Sequence, residues 1–334
     1  MSPVTIHISQ FNSEDFLQFV ERSDFEETIR KEHNFILRKP TSGSLRVAAK
    51  SNNSQLNRLG LPNCFDHSRV ILPVEKEHGD YINGNYVDGY NQARKFICMQ
   101  APMHSTNYDL WRTVWMSNSR IIVMLCEKTV FTREIDHAYW CYAEGTLKCE
   151  KFEIKTKKVE FRQNYTETTL EVTDGTGASR EVLHLAFTTW RDKDVPETIE
   201  DFLDFVLAVK RINEKMKVRL IQESGQIPNP PIIVHSEMGA NRAGAFCAIE
   251  IAMSQYNDTG IISLASVVTR IREQRYDAVF RFIHYLFCYA VLAKYASFFQ
   301  LSEENIVKQA GYSMRSLFKS VAYPNCFRSR NVKP

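Results

Sequence analysis

The chain has 334 residues, 44% hydrophobic and 24% charged, which is room for one large domain or two small ones around an ordinary buried core. Its formal charge of +3 is too small to argue for a nucleic-acid partner, and no run approaches the roughly 18 to 20 apolar residues that span a bilayer. The N-terminus lacks the basic start and apolar stretch of a signal peptide, and eight cysteines without a CxxC pair fit a reducing, cytoplasmic setting.

No repeat, low-complexity tract or Pro/Gly/Ser-rich linker divides the chain. Ser23 and Glu26 have the spacing of a capping box, and Phe25, Ile29 and Phe35–Ile36 recur at helical spacing behind them. Residues 38–60 are polar and read as loop. Short strands are expected at Arg69–Val74, Asp80–Asp88 and Lys95–Gln100, then a helix near Thr106–Ser117. Arg120–Cys126 is continuously apolar and β-branched, as in a strand covered on both faces. Residues 151–188 alternate and predict antiparallel strands with a turn at Asp174–Gly177. Thr198–Met216 reads as an amphipathic helix, Pro231–Val234 as a buried strand, and Arg242–Ser254 and Ile262–Ala296 as helical. Strands in the middle and helices at the end define a single α/β or α+β domain. The lysine clusters at 155–158 and 210–217 read as solvated faces. The basic residues beyond about 300 fall short of a polybasic membrane anchor.

Residues 231–244, Pro-Ile-Ile-Val-His-Ser-Glu-Met-Gly-Ala-Asn-Arg-Ala-Gly, run from a buried strand through a turn into a helix. Such a turn points backbone N–H groups at one spot, and an arginine at its end can hold two phosphate oxygens. Taken alone, the pattern is equally an ordinary strand–helix corner. The surroundings decide. His235, Gly239, Arg242 and Gly244 fit the pattern His-Cys-x-x-Gly-x-x-Arg-(Ser or Thr)-Gly, and the chain thereby resembles the protein tyrosine phosphatases. Trp190-Arg-Asp192-Lys-Asp-Val-Pro196 resembles that family's mobile loop carrying the general acid. Further matches follow in family order: Asn57-Arg58, Phe65 to Val70, Asp80 to Asn83, Gln100-Ala-Pro102, Trp111 with Trp115, and Arg272 to Arg275. The resemblance spans residues 20–298 and implies a central twisted mixed sheet flanked by helices. It leaves residues 1–19 as an N-terminal segment and 299–334 as a basic tail. The wording of NCFDHSRVIL and DYINGNYVDGYNQARKFICMQAP is most similar to the tyrosine phosphatase-like proteins of bracoviruses, a group associated with disabling host immune cells.

The resemblance also shows what has been lost. The family's cysteine thiolate attacks phosphorus; its position is Ser236, whose hydroxyl the same electrostatic field does not ionise near neutrality. The hydroxyl residue that helps the cysteine leave is Ala243. The glutamine that positions water aligns with Phe280, and a second glutamine with His284. The tyrosine that stacks on substrate aligns with Leu59, and the acidic residue that holds the peptide backbone with Leu61. The Glu and Lys of a supporting loop align with Val130 and Ile135, and the acid loop's proline is Arg191.

Of the positions retained, the resemblance assigns Arg242 the phosphate fork, Gly239, Ala240 and Asn241 the cradle, and Asp192 the acid. Two readings stand for Arg242, the fork or a salt bridge to Glu237 or Asp192; Asp192 is an acid or a solvated loop carboxylate. Glu237 repels phosphate if it points inward. No cofactor is expected, and the histidines show no metal-ligand spacing. The expected function is a catalytically inactive phosphatase-like protein that binds phosphotyrosine proteins or the partners of active phosphatases. The alternatives are an active phosphatase in a Cys-to-Ser form, which leaves Phe280, Ala243 and Leu59 unexplained, and a scaffold with an empty pocket. Oligomeric state is not legible.

Overall fold

Four strands buried along their whole length or nearly so form the middle of the sheet: β3 (Phe96–Gln100), β9 (Ile232–Ser236), β4 (Ile121–Met124) and the end of β8 (Ser179–Ala186). They run parallel in the order β3-β9-β4-β8, as continuous apolar runs do when helices cover both faces. β1 (Arg69–Ile71) and β2 (Tyr81–Val87) extend one side antiparallel. β7 (Thr166–Thr173), β6 (Phe152–Phe161) and β5 (Gly145–Cys149) extend the other, giving nine strands among the described residues. The computed structural model describes residues 10–61, 63–127, 138–191, 194–225 and 229–299. The mixed α/β architecture is the expected one; β5, which shows little burial, carried no signal.

Helices α1 (Ser13–Glu21), α2 (Phe25–Arg38), α4 (Ile199–Ser224), α5 (Asn241–Thr259), α6 (Leu264–Gln274) and α7 (Phe282–Phe299) build one large core with one face of the sheet. Helix α3 (Asn107–Met116) and the β5–β8 wing close a second core on the other face. Every residue from Arg242 to Met253 of α5 is buried, so this helix is surrounded by protein. Helix α1 straddles residue 20 and packs into the large core, with Phe16 stacked on Tyr289 at 5.7 Å. The tail beyond residue 299 lies outside the described residues.

Three local expectations are corrected. The capping box at Ser23 and Glu26 does not form: Asp24 is the N-cap of α2, and its carboxylate is drawn to Arg22 at 2.8 and 2.6 Å and caps no backbone N–H of the helix. Residues 38–60 hold two 3₁₀ turns, Ser51–Leu56 and Arg58–Gly60. The stretch Ile262–Ala296 is not one helix. It breaks between α6 and α7, with Asp277 and Val279 in the left-handed region at φ 57° and 51°. The break is tertiary: Val279 N–H donates to the Ala240 carbonyl, and Arg281 N–H to the Asn241 side chain. Helical periodicity there yields to contacts with the loop after β9.

Candidate active site

Strand β9 ends at Ser236, opposite Gln100 of β3, and α5 starts at Asn241, so residues 237–240 turn at the C-terminal edge of the parallel strands, where α/β folds place ligands. The loop is held from outside by its carbonyls. Ala101 N–H donates to Ser236 and Glu237 oxygens at 2.8 and 3.3 Å. The fully buried Arg275 donates to Gly239 O and Met238 O at 3.0 and 3.1 Å, and to Asn85 Oδ1 at 2.8 Å; Asn63 also reaches Met238 O. With its carbonyls spent on this frame and the Gly239 N–H turned back to the Ser236 carbonyl at 3.0 Å, the loop closes tightly between β9 and α5. Gly239 sits at φ 64°, and a Cβ there would lie 2.1 Å from the Met99 carbonyl carbon, so only glycine fits.

Ser236 is 2% exposed, and its Oγ accepts from Ala243 N–H at 3.4 Å. A serine nucleophile needs a base beside it. His235 is not available for that task. Its Nε2 lies 2.6 Å from the Tyr139 hydroxyl and its Nδ1 3.9 Å from Cys126 Sγ. Burial, with the positive fields of Arg58 and Arg242 added, holds its pKa well below the usual imidazole value, so it stays neutral. The Tyr139 hydroxyl also lies 2.7 Å from His184 Nε2. One hydroxyl proton serves two imidazoles, so the tyrosine donates to one and accepts from the other. His184 Nδ1 is buried with no hydrogen-bond partner among the described residues. The arrangement that strands no N–H there has His184 donating from Nε2 and Tyr139 donating to His235. His235 then carries its proton on the Cys126 side. His184, behind this loop, was not singled out from the sequence.

Arg242 is 4% exposed and its fork is already engaged. Nη1 donates to the Trp190 carbonyl at 3.0 Å, and Nη2 lies 3.6 Å from Glu237 Oε2. The structure therefore realises the internal salt bridge to Glu237, whose carboxylate points inward. Around this pair opens a cavity of about 780 Å³ lined also by Ser236, Met238, Ala240 and Asn241. Leu59, Leu61 and Phe280 stand at its mouth, 80%, 51% and 44% exposed, with Leu45 beside them. Leu59 is displayed by a strained turn, φ 55° and ψ 21°, pinned by Arg58, whose N–H donates to Gln100 and whose guanidinium donates to Ala101 O. Tyr276, Asp277 and Arg281 complete the lining and were not singled out from sequence.

The remaining predicted residues are not all brought together. Ala243 is fully buried at the start of α5. His284 does not line the cavity. Its ring bonds the Asp194 carbonyl at 3.0 Å and meets Trp190 edge-on at 5.5 Å, steadying the segment that Trp190 Nε1 also ties to Asp194 O. Asp192, Val130 and Ile135 lie outside the described residues. Among the described residues, no three of His, Cys, Asp and Glu gather as metal ligands, and no helix is long and apolar enough to cross a membrane.

A buried strand, a four-residue turn and a helix with an arginine in its first turn form this corner of the molecule. The protein-tyrosine phosphatase family model matches residues 53–294, and the chain belongs to that family. It is 45% identical over 289 residues to Tyrosine phosphatase H2 of Microplitis demolitor bracovirus, covering 86% of this chain and 89% of the relative. Tyrosine phosphatase-like protein J1 of the same virus is 36% identical, covering 82% and 92%. The rat tyrosine-protein phosphatase non-receptor type 9 is 31% identical, covering 80% of this chain and 46% of the relative.

Proposed function

We propose that the chain is a pseudophosphatase: it binds phosphotyrosine proteins or the partners of active phosphatases without turning phosphoesters over. By occupying them in the host cytoplasm it interferes with signalling or immunity. In this reading Ser236 and Asp192 are vestiges of nucleophile and acid, and Gly239, Ala240, Asn241 and Arg242 are a retained cradle. The observation that carries it is the pairing of a serine at the nucleophile position with a His235 whose two nitrogens are committed to Tyr139 and Cys126. Neither ring nitrogen is placed to take the Ser236 proton, and burial makes the ring a poor proton acceptor. The bracovirus relatives, one of them named phosphatase-like, support the host setting.

The test is hydrolysis of para-nitrophenyl phosphate and phosphotyrosine peptides. Wild type releases phosphate no faster than Ser236→Ala. Turnover that disappears in Ser236→Ala would show an active serine enzyme.

A further inference from the structure

The pocket floor carries its own anion. The Glu237 carboxylate lies 3.6 Å from Arg242 Nη2, 19% exposed against 5% for the arginine, so the pair is largely withdrawn from water. Arg242 Nη1 is spent on the Trp190 carbonyl, and a two-pronged grip on a phosphoryl group requires Glu237 to leave. The Glu237 backbone is fixed, its carbonyl by Ala101 N–H and the neighbouring Met238 carbonyl by Arg275 and Asn63, so the carboxylate is tethered at the loop and vacates the fork only by turning its side chain. Among the described lining residues the fixed charges balance: Glu237 and Asp277 against Arg242 and Arg281. A dianionic phosphoryl group entering this floor meets a carboxylate where it needs a cation.

The mouth points the same way. Leu59, Leu61 and Phe280 are three large apolar side chains exposed around one opening, and exposed apolar groups gathered at one place mark interaction surfaces where scattered ones do not. A rim of this kind takes a ring or an aliphatic chain; a neutral floor takes an uncharged tip.

We propose that Glu237 is a tethered anion filling the phosphate cradle, and that the pocket therefore receives an unphosphorylated tyrosine side chain of a partner peptide. The ring lies against Leu59, Leu61 and Phe280, and its hydroxyl donates to the Glu237 carboxylate. This rests on the second branch of the binding reading above, the partners of active phosphatases, and replaces its phosphotyrosine branch: the protein holds the product side of a phosphatase reaction, not the substrate side.

The experiment uses the full chain and two immobilised peptide pools, each with degenerate positions flanking a fixed tyrosine, one pool phosphorylated. Wild type retains the unphosphorylated pool at least about fivefold better, and Glu237→Gln reverses the preference. Sodium tungstate supplies a second readout. It leaves the wild-type melting midpoint unmoved, raises that of Glu237→Gln and Glu237→Ala by about 3 °C or more, and does nothing to Glu237→Gln/Arg242→Ala. Stronger retention of the phosphorylated pool by wild type, no retention of either pool, or equal tungstate shifts in wild type and both Glu237 variants overturns the proposal. Phosphate release from the phosphorylated pool, followed separately, reports on the absence of turnover and not on this selectivity.

Discussion

His235 Nε2 and the Tyr139 hydroxyl are 2.6 Å apart, and the same hydroxyl is 2.7 Å from His184 Nε2, so two neutral imidazoles share one buried phenol directly behind the loop. Burial lowers the His184 pKa to about 3, and that of His33, bonded to the Val279 carbonyl, to about 4. His235 is lowered as well. All three take up protons in the unfolded chain near pH 6.5 but not in the folded one. The unfolded state therefore binds more protons as pH falls, and folded stability declines from about pH 6.5 downward. Each group contributes a slope of up to about 1.4 kcal/mol per pH unit in that window. Urea unfolding at pH 7.5, 6 and 5 measures the slope, and His33→Gln makes it shallower. A stability that is flat or rises on acidification to pH 5 contradicts the neutral assignment.

Gly239→Ala combines a left-handed residue with a Cβ inside contact distance of the Met99 carbonyl. The left-handed strain alone costs about 1 kcal/mol, and the clash adds to it by displacing the loop from β3. Urea unfolding shows a loss of about 2 kcal/mol or more, and a loss under 0.5 kcal/mol shows that the loop yields freely.

Leu59 is exposed at the mouth, where the family resemblance expects a stacking tyrosine. Leu59→Tyr restores an aromatic face worth about 0.5–1.5 kcal/mol, a two- to twelvefold gain in affinity for any ligand with a ring. Because the gain is ring to ring, phosphorylated and unphosphorylated tyrosine peptides benefit alike in calorimetric titrations. A gain confined to the phosphorylated peptide means the charge selectivity lies at the mouth and not at Glu237.

Much of this was legible from residues 231–244, because a buried strand, a glycine and an arginine at fixed spacing serve one geometry. The central parallel strands were legible for the same reason, being continuously apolar. What was not legible is where tertiary contacts override local pattern. The α6–α7 break is set by Val279 and Arg281 reaching the loop, and the α2 cap by Arg22 taking Asp24. Likewise, sequence spacing left open which way Glu237 points; its partner, Arg242, is the second residue of the next helix. His284, expected from the resemblance at a glutamine position of the site, serves the Trp190 segment, a difference that only packing reveals.

The central claim, that several parts of the machinery and not one atom have gone, is tested most directly by pre-steady-state kinetics of Ser236→Cys on para-nitrophenyl phosphate. The restored thiol shares its cavity with the Glu237 carboxylate, whose charge disfavours its thiolate, and with an Arg242 already paired. Ala243 supplies no hydroxyl for the departing cysteine, and Phe280 cannot orient water. The variant releases at most about one nitrophenol per protein in a burst, then almost none, as a stalled covalent intermediate requires. Adding Ala243→Thr and Phe280→Gln raises the steady rate more than the burst. Sustained turnover by Ser236→Cys alone, at the rate of an ordinary tyrosine phosphatase, would contradict the account.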